Sequence, residues 1–143
     1  MRYDFLELPP AIGQAVTRSI MAFAQAPSPP LQYHLWYHDQ PLWFVWARDP
    51  RGIVRRVQVG AYRMPDGQEE LRFVPGVFFE DSVKKLLKAA EISASGVFSC
   101  NVSDLKGEAF KAESIVKDKL GHAWKAAQNM PAEFTWETRL HPA

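Results

Sequence analysis

The stretch YHLWYHDQPLWFVWARDPRGIVRRVQVGAYRMPDGQEELRFV, residues 33–74, decides the fold class. Three turn signals divide it: Asp39-Gln40-Pro41, Asp49-Pro50-Arg51-Gly52 and Met64-Pro65-Asp66-Gly67. Pro at the second position and Gly at the fourth suit a type I turn in the middle signal, and Pro-Asp-Gly does similar work in the third. The runs between them, Tyr33–His38, Leu42–Arg48, Ile53–Arg63 and Glu70–Val74, are rich in aromatic and β-branched residues. Turns this short join hairpins, so the four runs form an antiparallel meander. The fourth strand is expected to stop near Pro75-Gly76, leaving Phe78 and Phe79 as an apolar anchor where the next helix begins.

Upstream, Pro9 and Pro10 can open a helix at no hydrogen-bonding cost. Ile12, Val16, Ile20 and Phe23 then recur at helical spacing until Pro27, Pro29 and Pro30 end it. Downstream, Asp81 or Ser82 caps a second helix carrying Val83, Leu86, Leu87 and Ala90. Val97–Val102 reads as a fifth strand. A long helix follows, reaching Gln128, with a break expected near Gly107 and a buried stripe of Val116, Leu120, Ala123, Trp124 and Ala127. Phe134, Trp136 and Leu140 alternate with polar residues, which marks a last strand with one wet face. The expectation is one α+β domain over residues 1–143, in the order α-β-β-β-β-α-β-α-β. Its antiparallel sheet of about six strands comprises the four-stranded meander and two later strands, accompanied by three helices.

The composition fits a globular protein, with 47% hydrophobic and 23% charged residues. Seventeen basic against sixteen acidic side chains leave a net charge of +1, too little to draw nucleic acid or anionic lipid to the molecule as a whole. The charges are unevenly distributed: every lysine lies between Lys84 and Lys125, whereas Arg139 is the sole arginine after Arg72. No run approaches the roughly 20 apolar residues that span a bilayer. Asp4 and Glu7 sit where a signal peptide wants positive charge, and the lone Cys100 suits a reducing compartment. A cytoplasmic protein is the expectation.

Few residues carry chemistry. His34 and His38 stand about 13 Å apart on a strand, too far to share a metal. Cys100, between Phe98 and Val102, reads as a small buried hydrophobe rather than a nucleophile. Neither a nucleophile elbow nor a glycine-rich phosphate loop is present, so no cofactor is expected and an enzyme ranks last.

What stands out is aromatic and arginine density. In the second strand Trp43, Val45 and Ala47 point one way while Leu42, Phe44 and Trp46 point the other, so both faces need cover. Helices can cover one. A second copy of the chain would cover the other, as homodimers often bury aromatic faces.

The leading expectation is therefore a non-enzymatic, self-associating interaction domain, using Trp36, Trp43, Phe44 and Trp46. One alternative is a small-molecule binder with an aromatic pocket between sheet and long helix, drawing on Trp124, Arg55, Arg56, Tyr62 or His34. Another is single-stranded nucleic-acid binding through the arginine and aromatic strands. Arg55 and Arg56 are neighbours, however, so they face opposite ways, and the low net charge weighs against that reading.

Overall fold

A computed structural model describes residues 4–37, 41–79 and 98–131. Its elements are β1 (Asp4–Phe5), α1 (Pro10–Gln25), β2 (Gln32–Tyr37), β3 (Pro41–Arg48), β4 (Ile53–Arg63), β5 (Glu69–Phe79), β6 (Phe98–Asn101), a 3₁₀ turn (Val102–Leu105) and α2 (Ala109–Asn129). The class is α+β. Five antiparallel strands run in the order β2-β3-β4-β5-β6, and the two-residue β1 pairs with β4 through Asp4↔Arg63 and Phe5↔Tyr62. β4 outruns β3, whose pairing ends at Leu42↔Gly60, and β1 takes up the edge beyond it.

The described residues thus hold two helices rather than three, and five principal strands rather than six. The helix expected over Val83–Ala90 and the strand expected over Phe134–Leu140 lie outside them, as does the turn Asp39-Gln40. The other two turns form where expected. Gly52 N–H donates to Asp49 O at 3.0 Å, and Gly67 N–H to Met64 O at 2.8 Å. Asp49 Oδ1 also accepts from the backbone N–H groups of Arg51 and Ile53, at 2.9 and 3.0 Å.

One expectation is corrected. β5 does not stop at Pro75-Gly76 but continues to Phe79, pairing Pro75 with Val57 and Phe79 with Ile53. Phe78 and Phe79 therefore belong to a strand, and the helix they were expected to introduce lies outside the described residues. Proline has no N–H to donate, so it fits where no strand requires one, and among the described residues β6 pairs with β5 only from Glu70 to Phe73.

Both helices lie on one face of the sheet. Trp43 and Val45 of β3, Val57, Val59 and Ala61 of β4, and Leu71 and Phe73 of β5 meet Val16 and Ile20 of α1 and Val116 and Leu120 of α2 in one core. Most of these side chains are fully buried, and each contributes roughly 1.5–3 kcal/mol of apolar burial. Gly107, at φ +105°, separates the 3₁₀ turn from α2, the break expected there. No described helix is long and apolar enough to cross a membrane.

Candidate interaction face

Strand alternation and register assign the notable side chains to two faces. The pairings Trp46↔Arg56, Phe44↔Gln58 and His34↔Phe44 place these residues together on the face that carries neither α1 nor α2. There His34 stacks on Phe44, with ring centroids 4.8 Å apart and planes at 24°. The Arg56 guanidinium lies over the same ring, 4.9 Å from its centroid, in cation–π geometry. Phe44 is thus sandwiched and only 9% exposed, although no described helix covers it. The Trp46 indole N–H reaches His34 Nδ1 at 3.4 Å.

His34 titrates below the ordinary imidazole range. Burial disfavours its charged form, and the nearby Arg56 cation adds to the effect. A neutral ring is also what the Trp46 contact needs, since Nδ1 must keep its lone pair to accept.

The remaining candidates divide differently. Tyr62, 8% exposed, lies on the face opposite α1 and α2, against Phe5, with centroids 4.9 Å apart. Trp36 is placed by its backbone in β2, paired with Leu42. Trp43 faces the helices at 4% exposure and donates its indole N–H to Thr17 of α1. Arg55 also faces the helices: its Nη1 donates to Ala127 O at 2.6 Å and Met130 O at 2.9 Å, closing the C-terminal end of α2. Trp124 packs half-buried against the core. Of the eight aromatic and arginine candidates, Phe44, Trp46, Arg56 and Tyr62 share the face opposite α1 and α2. Trp43, Arg55 and Trp124 are fixed by helix packing.

His34 was legible from sequence as a weak metal candidate and as a polar contact for a small-molecule pocket. Its place in the Phe44 sandwich depends on register between β2, β3 and β4, for which there is no local signal. Cys100 faces the core from β6, and burial pushes its thiol up to about 11, so it is protonated at neutral pH and a poor nucleophile.

Among the described residues β2 is the outermost strand beside this face. Its sequence, QYHLWY, contains no lysine, arginine, carboxylate or proline. Tyr33 and Leu35 are 39% and 45% exposed. Next to it, a groove of about 460 Å³ opens between α1 and the β2–β3 hairpin, lined in part by Leu8, Leu35, Pro41 and Trp43. No protein-family model, curated protein or solved structure matches this chain.

Proposed function

We propose that the chain is a non-enzymatic interaction domain that pairs with a second copy of itself through the β2–β3 side of its sheet. The observation that carries this reading is the character of β2: outermost among the described strands, uncharged, and bearing half-exposed Tyr33 and Leu35. Edge strands of monomeric proteins are usually blunted by lysine, proline or a bulge, because an open row of backbone N–H and C=O groups invites another strand. β2 uses neither lysine nor proline. Antiparallel pairing of two copies about a twofold axis satisfies both rows at once and joins the two sheets. His34 and Trp46 beside it supply aromatic area toward the roughly 1,200–2,000 Å² that a stable interface buries.

Sedimentation equilibrium over a micromolar concentration range tests this. A dimer is expected, and Leu35→Lys, which places an ammonium on the edge, is expected to return it to monomer with the fold intact. A chain that is monomeric at every concentration overturns the reading.

A second reading rests on the groove between α1 and β2–β3: a small apolar molecule bound against Trp43 and Leu35. It differs from the expected pocket beneath α2, where Val57, Leu71, Val116 and Leu120 are fully buried and contribute to one packed core. Ligand-induced thermal shifts in a monomeric protein would favour it over self-association.

A further inference from the structure

Three lysines meet around one recess at the β6 side of the molecule, remote in sequence from the β2 edge. The recess measures about 610 Å³ and lies over Cys100 and Asn101, with Lys106, Lys111 and Lys119 on its walls. Helical spacing brings two of them together. Lys111, Ile115 and Lys119 are four residues apart on α2 and form one stripe, beside the buried stripe of Ala112, Val116 and Leu120. Lys106, just before Gly107 in the connection to α2, lines the same recess. The crowding of every lysine into Lys84–Lys125, without a reason in the sequence alone, acquires in part a spatial one.

Among the described residues, three lysines and one carboxylate, Asp104, line this recess, a net of +2 (three minus one). Glu70, which also influences Cys100, is engaged by Arg72 at 3.3 Å. Among the described residues, none of the three lysines has an ion-pair partner. At the adjoining end of α2 the N-cap residue is Glu108, whose side chain makes no capping hydrogen bond. Like charges held together in a concave site cost stability unless a counter-charge enters it, and a cleft lined by one sign concentrates the opposite ion.

We propose that this recess binds a small phosphate-bearing anion with two or more negative charges. Its volume falls within the roughly 300–1,000 Å³ of small-ligand sites. Three separate lysines suit the spread charge of phosphate groups, which lysine meets as a point charge. Ser103 and Asn101 add neutral hydrogen-bonding groups to the lining. The proposal is independent of self-association, since no β2 residue takes part.

The test is a titration of the ¹⁵N-labelled full chain with inorganic pyrophosphate, against chloride at matched ionic strength. Saturable amide shifts confined to Ser99–Lys106 and Lys111–Lys119 are expected, with half-saturation near about 1 mM or below. The double variant Lys111→Gln, Lys119→Gln is expected to weaken binding by about tenfold or more, and Asp104→Asn to tighten it. Lys117→Gln, an exposed residue outside the recess, is expected to bind as the parent does. Shifts no larger than those from chloride, or equal losses for Lys117→Gln and the double variant, would overturn the proposal. So would binding confined to phosphatidic-acid vesicles with no response to pyrophosphate, which would make the anion a membrane surface.

Discussion

The indole N–H of Trp43 donates to Thr17 Oγ1 at 3.0 Å, and the same hydroxyl donates to Gly13 O at 2.9 Å. One side chain of α1 thus satisfies the polar atom of a tryptophan buried in the sheet and fixes the height of the helix above β3. Thr17→Val keeps the shape but removes the acceptor. It is expected to cost about 1–3 kcal/mol, the usual penalty for a buried unpaired donor. Urea denaturation measures this, and a double-mutant cycle with Trp43→Phe should show the two residues coupled.

Arg55 acts at the other helix. Arg55→Met removes both hydrogen bonds to Ala127 O and Met130 O, and with them a positive charge at a helix C-terminus. A loss of about 1–3 kcal/mol is expected, with faster amide hydrogen exchange in the last turn of α2 and little change in β2 and β3.

Gly60 is present for a steric reason. A Cβ there would lie 2.8 Å from Leu42 Cδ2 and 2.8 Å from the Tyr62 hydroxyl. Gly60→Ala is therefore expected to destabilise the fold by about 1–3 kcal/mol, as overpacking does. Leu42→Ala in the same chain should recover part of that loss. An unchanged urea midpoint for Gly60→Ala would show that the ring of Tyr62 can move aside.

His34 makes the β2–β3 side sensitive to acid. Its folded pKa lies below the ordinary 6.5, so the unfolded chain takes up the proton first as pH falls. Its contribution to stability is complete above 6.5 and lost as pH drops through the lower folded value. Protonation also removes the Nδ1 acceptor used by Trp46 and puts a charge on the edge strand. Self-association is expected to weaken from about pH 7 to about pH 5, and less steeply in His34→Gln, as sedimentation at several pH values would measure.

Cys100 responds at the opposite end of the scale. With its thiol raised from 9.0 to about 11, alkylation by iodoacetamide should be slow at neutral pH and rise steeply toward pH 11. The unfolded thiol ionises first, so the stability this group contributes is complete below 9.0 and lost as pH climbs through about 11. Cys100→Ala should flatten that part of the stability profile.

Much of the framework is legible in residues 33–74, because turns and alternation are local. Asp49-Pro50-Arg51-Gly52 and Met64-Pro65-Asp66-Gly67 place two hairpins, and the bounds of β4 coincide with the run Ile53–Arg63. The reading of Pro75-Gly76 failed for a nonlocal reason. Those residues are turn-formers unless a strand such as β4 stands alongside to hold them extended, and β4 does. β1 left no sequence signal, since two residues carry no periodicity.

From the order of residues alone, alternation separated Arg55 from Arg56 and Trp43 from Phe44. It could not say which of the two faces the helices would take. That choice came from packing: α1 and α2 settled over Val45, Val57 and Leu71, which committed Trp43 and Arg55 to helix contacts and left Phe44 between His34 and Arg56. The Phe44 sandwich joins three strands, and the lysine recess joins a strand, a turn and a helix. Both are products of register and docking between segments distant in the chain, interactions that no local pattern encodes.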